Sequence, residues 1–142
     1  MRKISGLKTL AAAAVALAVL APAPATAAAL GCSGGGGWLK TKHGHVKYLW
    51  KVCGDGYAAA SGTVHDTRWD LWTAVVEVSF SKAGKGVVGT GGRVEAGRKK
   101  GSRDFGFSAA AKQGADTVVI KARRCLLGGR LCNNTATFTG KL

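Results

Sequence analysis

The sequence predicts an all-β fold, an antiparallel β-sandwich of about seven strands with two disulfides. Three observations lead to this expectation. Apolar and polar residues alternate along several segments, turn-forming residues separate those segments at a spacing of roughly 8 to 15 residues, and the chain holds four cysteines. A chain of 142 residues has room for one domain. The expected architecture is therefore a single immunoglobulin-like, or Ig-like, sandwich.

Three segments carry the clearest strand signal, an apolar pattern with a period of two. In residues 46–53 the even positions are valine or aromatic, whereas Lys47, Leu49 and Lys51 occupy odd positions. The same alternation recurs in residues 72–80 and 117–123. Shorter strands are expected at residues 57–64, 86–93, 103–108 and 135–140. Only residues 108–113 have helix-forming composition, and a single turn is expected there.

The first 27 residues have the three parts of a signal peptide. Arg2, Lys3 and Lys8 precede an apolar run at residues 10–21, and a small-residue cleavage site ends at Ala27. As a helix, the apolar run would rise only about 18 Å, well short of the roughly 30 Å hydrocarbon core of a bilayer. The sequence therefore predicts a secreted, extracellular protein without a transmembrane span.

A run of four glycines follows the predicted signal peptide: Gly34, Gly35, Gly36 and Gly37. Glycine loses more conformational freedom than any other residue when it is fixed in a strand or helix, so this run is expected to be flexible. The predicted organisation is a signal peptide at residues 1–27, a glycine-rich flexible lead-in at residues 28–37 and a β-sandwich domain at residues 38–142.

The four cysteines are expected to form two disulfides, because small exported domains use such bonds to supplement a small core. Three connectivities are possible, and we expect Cys32 to pair with Cys53 and Cys125 with Cys132. Loop-closure entropy assigns about 3.4 kcal/mol to the first bond and about 2.5 kcal/mol to the second. Cysteine spacings typical of zinc sites are absent from the sequence.

Lipidation is the alternative fate of Cys32. The stretch from Leu30 to Ser33 also looks like a bacterial lipoprotein cleavage site, with the glycine run as its tether. A lipid at Cys32 would anchor the protein to a cell surface. It would also leave three cysteines for disulfide formation, and a conventional cleavage site lies just upstream.

No catalytic residue is predicted, and the protein is expected not to be an enzyme and to need no cofactor. A secreted ribonuclease would require a general base, a histidine acid and an arginine near the phosphate, for which Glu77, His65 and Arg68 are the candidates. Their spacing does not favour such a site. Asp66 and Asp70 are expected instead to shape a turn by accepting hydrogen bonds from nearby backbone amides.

No metal site is predicted either, although one histidine pair has a spacing that could hold a metal ion. His43 and His45 would lie on the same side of an extended segment, which is a geometry that suits copper or zinc. No cysteine or carboxylate lies close to them in sequence. The alternative is a loop that carries two solvated histidines.

Basic residues are the most conspicuous feature of the composition. Lysine and arginine number 21 against 7 acidic residues, for a formal net charge of +14. Such a charge attracts polyanions such as nucleic acid, teichoic acid or anionic lipid, although it also suits a solvated surface that discourages edge pairing. The candidate polyanion-binding residues are Arg98, Lys99, Lys100, Arg103, Lys121, Arg123, Arg124 and Arg130.

Two of the four tryptophans are candidates for contact with a partner. Trp50 and Trp72 belong to alternating core faces, whereas Trp38 and Trp69 lie at a strand lead-in and in a predicted turn. An exposed indole at such a position can anchor a partner, and the alternative is that it covers the core. The expected partner-binding residues are Gly34, Gly35, Gly36, Gly37, Trp38 and Trp69.

The segment from Gly62 to Cys132 resembles small exported β-sandwich proteins of actinobacteria. The resemblance rests on a turn at residues 63–67 that leads into an aromatic-rich strand, on glycine-rich hairpins, and on the strand ADTVVIKARRC at residues 115–125 with its short cysteine loop. Some of these proteins look like the adaptor subunit of umbrella toxin particles, which links a stalk protein to lectin subunits. The resemblance implies that residues 31–38 insert into a partner and that an open sheet edge receives a partner strand.

The sequence thus predicts a non-enzymatic secreted adaptor that binds another extracellular protein, as a component of a secreted toxin assembly. A cationic antimicrobial protein that binds an anionic polymer of the cell envelope is the alternative. A small ribonuclease-like hydrolase is the third reading.

Overall fold

The computed structural model describes residues 31–42, 44–68, 70–97, 100–126 and 131–142. Residues 32–142 form one compact unit, and the predicted signal peptide at residues 1–27 lies outside the described residues. Nine strands and one 3-10 turn at Ala111–Gln113 make up the regular structure of the described part. The strands are β1 (Cys32–Thr41), β2 (Gly44–Cys53), β3 (Ala58–Asp66), β4 (Trp72–Lys82), β5 (Gly86–Val87), β6 (Gly92–Glu95), β7 (Ser102–Ala109), β8 (Thr117–Leu126) and β9 (Cys132–Lys141).

The strands form two antiparallel sheets. Sheet A has the order β1-β2-β3-β7, and sheet B has the order β5-β4-β8-β9, with β6 also pairing with β4. The two sheets face each other strand for strand, since β1 contacts β9, β2 contacts β8, β3 contacts β4 and β7 contacts β6. The predicted all-β, antiparallel sandwich is confirmed.

The core lies between the sheets and follows the predicted alternation. Val46 and Val52 on β2 point inward, as do Val76 and Phe80 on β4. Val75 is also fully buried although the alternation places it on the outer face of sheet B. Its register partners are Glu95 and Arg123, and long charged side chains of this kind cover neighbouring apolar surface with their methylene stems.

The described part has nine strands, not the expected seven, because one predicted strand is two short strands and because β1 was not predicted as a strand. Residues 86–93 form the separate strands β5 and β6, both paired with β4. Gly89, between them, has a φ of 68°, which is incompatible with a continuous extended segment.

The glycine run also differs from expectation, because it belongs to the sheet. Strand β1 begins at Cys32 and pairs with β2 over ten consecutive positions, so the prediction of a flexible lead-in is wrong for residues 32–37. Aromatic side chains of β2 cover the glycines: a Cβ at Gly35 would lie 3.4 Å from the indole Nε1 of Trp50, and one at Gly37 would lie 2.7 Å from the hydroxyl of Tyr48. Ladder pairing and this aromatic cover offset the conformational entropy that the glycines lose.

Both predicted disulfides are present. Cys32 pairs with Cys53 and Cys125 pairs with Cys132, and no cysteine is free. The first bond joins the start of β1 to the end of β2, and the second joins the end of β8 to the start of β9. Lipidation of Cys32 would require the sulfur that here bonds Cys53. Within the described ranges, no helix is long and apolar enough to cross a membrane.

Candidate functional site

A cluster of aromatic and basic side chains lies on the outer face of sheet A. Because even positions of β2 point into the core, its odd positions point outward, and the register places Trp38 beside Lys47 and Lys40 beside His45. His45 in turn lies opposite His65 on β3. These five residues are called the Trp38 face below.

The rings of the Trp38 face are in contact. The centroid of the Trp38 indole lies 5.0 Å from that of His45, and the His45 and His65 centroids are 4.7 Å apart. The Lys47 Nζ atom lies 5.6 Å from the indole centroid, in a cation–π position worth about 0.5–1 kcal/mol at an exposed site. Trp38 is nevertheless 53% exposed. Together with Lys40 and His45, it lines a hollow of about 460 Å³.

The Trp38 face is electropositive. Burial lowers the pKa of His45 below its ordinary value of 6.5, and the nearby His65 and Lys40 lower it further. On the same outer face, Lys51 extends the positive charge along β2. Among the described outward-facing strand residues of sheet A, the one carboxylate is Asp104, which accepts a hydrogen bond of 2.7 Å from the Thr63 hydroxyl.

The rest of this outer face is nearly flat because most of its side chains are small. Gly36, Leu49, Ser61 and Gly106 form a row across the four strands, and only Leu49 projects, with 61% of its surface exposed. A shallow hollow of about 120 Å³ lies between the Leu49 and Lys51 side chains and β3.

Strand β1 is also notable as an edge. It lies at the end of sheet A and carries no charged residue from Cys32 to Leu39, and its pairing with β2 has no register break. The other edges differ: β5 is only two residues long, β7 carries Arg103 and Asp104, β6 carries Arg93 and Glu95, and the β8–β9 pair contains a bulge. Charges and bulges are devices that protect sheet edges from pairing, and β1 has neither over most of its length.

The structure unites five of the six predicted partner-binding residues. Residues 34–38 are consecutive positions of β1, in which Trp38 projects from the outer face. They form part of a sheet rather than a free arm. Trp69, the sixth, lies outside the described residues.

The described members of the predicted polyanion site do not form one surface. Lys121 and Arg123 lie on the outer face of sheet B, where the Nε atom of Arg123 is 3.5 Å from Glu77. Arg124 projects to the other side of β8, with its guanidinium carbon 4.2 Å from the Trp72 ring centroid. Lys100 and Arg103 lie on or just before β7 in sheet A, while Arg98, Lys99 and Arg130 fall outside the described residues.

The ribonuclease candidates are likewise apart. Glu77 lies on the outer face of sheet B, 3.7 Å from Arg93, whereas His65 lies on the outer face of sheet A. The two aspartates of the nearby turn have the predicted role: Asp66 accepts a hydrogen bond from the Arg68 amide at 3.0 Å, and Asp70 accepts one from the Trp72 amide at 2.9 Å.

The described residues contain no group of three or more histidine, cysteine or acidic side chains that could hold a metal ion. His43 lies outside those residues. His45 is a strand residue, not the loop residue that was expected as the alternative to a metal ligand. Its ring neighbour is His65, twenty positions further along the chain and directly across the ladder.

Sequence reasoning missed most of the Trp38 face. The sequence identifies Trp38, but Lys47 and His65 lie on other strands, and Lys40 shares the face of Trp38 only because β1 continues to Thr41. The signal that would have found them is the register of β1, β2 and β3.

Comparisons of the chain with protein-family models, curated proteins and solved structures find no match. The fold and the site themselves define a class of protein: a disulfide-linked antiparallel β-sandwich with an edge strand that is uncharged over most of its length, beside an aromatic, basic face.

Proposed function

We propose that this protein is a secreted, non-enzymatic adaptor that binds an extracellular protein, and that a strand of the partner adds to the edge of β1. The observation that carries the proposal is the edge itself, ten residues long and uncharged from Cys32 to Leu39. Strand addition takes its affinity from main-chain hydrogen bonds and its specificity from flanking side chains.

The backbone of β1 supports this mode of binding. Within the described ranges, the backbone hydrogen bonds of β1 run to β2, and none joins it to β9, the neighbouring edge of sheet B. In an extended strand, successive amides point to opposite sides, so half of the β1 amides face away from β2. These outward groups are the donors and acceptors that a partner strand would use.

Trp38 supports specificity at the same edge. Its indole is half exposed and lies on the edge strand, so it would contact the partner strand beside it. Tryptophan is enriched among the residues that dominate binding energy at protein interfaces. The resemblance to adaptor subunits points the same way, although here residues 32–38 would act as a sheet edge.

Two further features support the secreted and non-enzymatic parts of the proposal. Two disulfides suit an oxidising compartment, in agreement with the predicted signal peptide. The residues considered for acid–base chemistry, Glu77 and His65, face away from each other on opposite sheets.

Affinity capture with hydrogen exchange tests this function. C-terminally tagged protein is recovered from the medium and from the membranes of its producer, and its intact mass is determined. We expect a stoichiometric partner in the medium, and a mass that corresponds to cleavage of the signal peptide and the loss of four hydrogens. In the purified complex, alternate amides of β1 should gain protection, whereas those of β7 should not.

Matched variants locate the contact. Trp38→Ala should weaken capture, while Tyr57→Ala, which removes an exposed aromatic ring elsewhere, should not. A complex in which the β1 amides exchange as fast as in the free protein would refute strand addition. Recovery of the protein alone, in membranes and with the mass of an added lipid, would refute the secreted adaptor.

A further inference from the structure

We propose that the Trp38 face is a separate binding site for a polysaccharide that carries acidic groups. The site uses side chains on the outer face of sheet A, whereas the proposed protein partner would use the backbone edge of β1. The two proposals share the Trp38 indole, but the lysine side chains serve the polysaccharide alone and the β1 backbone serves the protein partner alone, so either can fail without the other.

Charge complementarity selects an anionic ligand. Lys40, Lys47 and Lys51 all project from the outer face of β1 and β2. The carboxylate of Asp104 is the one negative charge among the described outward residues of this sheet, and it is held by Thr63 on the far side of the face. No acidic residue lies between the three lysines, so their attraction for an anion is not cancelled locally.

The spacing of the lysines favours a polymeric anion over a single small anion. Lys47 and Lys51 lie four residues apart on β2, which is about 13 Å at the usual rise of a strand. A single small anion cannot contact both side chains near their stems, whereas a chain with an acidic group on successive sugars can. Gly36, Ser61 and Gly106 have little or no side chain on the outer face, so they leave room for such a chain to cross the sheet.

The exposed indole of Trp38 favours a ligand that is built of sugars. One face of a pyranose ring presents mainly C–H groups, which pack against the flat apolar surface of an exposed tryptophan. The ammonium of Lys47 lies over the same indole, so a ring packed against Trp38 would have its acidic substituent within reach of a cation. The hollow of about 460 Å³ beside Trp38 gives space for a sugar ring.

The same features argue against single-stranded nucleic acid. Proteins that bind it stack successive bases on several aromatic side chains along a positive groove. On the described part of the outer face of sheet A, Trp38 is the one exposed tryptophan, tyrosine or phenylalanine. The face therefore offers one stacking surface within a field of lysines.

His45 adds a dependence on pH. The groups that face His45 are Lys40 on β1, Lys47 on its own strand and His65 on β3, and the nearest carboxylate on this face is Asp104. Protonation of His45 raises the positive charge of the Trp38 face. Binding of the anionic polysaccharide is therefore expected to tighten as the pH falls below about 6.5.

Calorimetric titration with polygalacturonate, which has one carboxylate per sugar, tests the proposal, with neutral dextran as the uncharged probe. The triple variant Lys40→Gln, Lys47→Gln and Lys51→Gln should lower affinity roughly tenfold or more, because it removes contacts to the anionic chain. The control, Lys85→Gln, Lys112→Gln and Lys141→Gln, has the same net charge and should change affinity by less than about twofold. Equal losses in the two variants would overturn the site.

A second comparison separates sugar from other polyanions. Trp38→Ala should weaken polygalacturonate binding and leave polyglutamate binding unchanged, because only the sugar packs against the indole. Equal weakening of both, or tighter binding of oligo(dT) than of polygalacturonate, would overturn the assignment to a polysaccharide. Capture of the protein partner by the Lys40, Lys47 and Lys51 variant tests the adaptor function independently, since those side chains do not form the β1 backbone edge.

Discussion

The indole of Trp50 on β2 lies directly against Gly140 on β9. A Cβ atom at position 140 would approach the ring carbon Cε3 of Trp50 to 2.6 Å, which is closer than any real contact of this kind. Phe138 lies on the same strand, with its ring centroid 5.5 Å from that of Trp50 and 4.8 Å from that of Tyr48. The glycine thus lets three aromatic rings fill the space between the sheets on the β1–β9 side.

Gly140→Ala is therefore expected to destabilise the protein by about 1–3 kcal/mol, because the added methyl group overpacks the site. Urea unfolding measures the difference. Gly106→Ala is the matched control, since a Cβ there would meet nothing within 4 Å. The control should be neutral or slightly stabilising through its effect on the unfolded chain. Equal losses of stability in the two variants would contradict this account of the interior.

The Cys32–Cys53 bond is expected to hold β1 in the sheet. Replacing both cysteines with serine should cost about 3.4 kcal/mol in the free energy of unfolding, against about 2.5 kcal/mol for Cys125 and Cys132. In the variant without the Cys32–Cys53 bond, the amides of β1 should also exchange faster than those of β3, because β1 contains four glycines and few side chains that pack in the core. Hydrogen exchange measured for each strand in the variant and in the native protein tests this. Protection of β1 that is unchanged in the variant would show that its aromatic cover alone holds the strand in the sheet.

Asp116 links stability to acid pH. Hydrogen bonds from the Ala83 amide, at 3.0 Å, and the Thr117 hydroxyl, at 2.8 Å, lower the pKa of its carboxyl below the ordinary value of 3.8. Since the folded pKa is depressed, the stabilisation is fully present above about pH 4 and is lost as pH falls through the folded pKa. Asp116→Asn should lower stability at neutral pH and flatten the decline between pH 4 and pH 2, as measured by urea unfolding. An unchanged acid profile would contradict this role.

His45 also links stability to pH, but its charged form is positive, and its effect lies at higher pH than that of Asp116. Its pKa lies below 6.5 in the folded protein, chiefly through burial, so the unfolded chain takes up a proton at higher pH than the folded chain does. The free energy of unfolding should therefore fall as pH decreases from about 6.5 towards the folded pKa. His45→Gln should remove this dependence. An NMR titration that places the His45 pKa at or above 6.5 would refute it.

Much of the fold was predictable because its signals are local. The alternation around Val46 and Val52 identified both a strand and the side that it buries, and the cysteine pairing expected among three possible connectivities is the one observed. The glycine run failed as a signal because its stabilising contacts come from Trp50 and Tyr48 on the next strand. Glycine propensity describes an isolated segment, whereas the aromatic cover of β1 exists only after β2 is placed beside it.

The candidate site was less predictable, for the same physical reason. Trp38 stood out by its type, but its relation to His65 depends on two successive strand registers. A slip of one residue in either register would send one of these side chains to the core. Among the described residues, basic side chains that are neighbours in sequence, such as Arg123 and Arg124, do not share one surface because they alternate between opposite faces of a strand.

The bond between Cys32 and Cys53 closes β1, β2 and their turn into a covalent ring. An edge strand held only by hydrogen bonds is the kind of element that two copies of a protein can exchange to form a domain-swapped dimer. In this protein β1 is tied to β2 at both ends, by the chain and by the disulfide, and β2 contributes Val46 and Val52 to the core. While the bond is oxidised, exchange of β1 between two copies of the protein is therefore disfavoured.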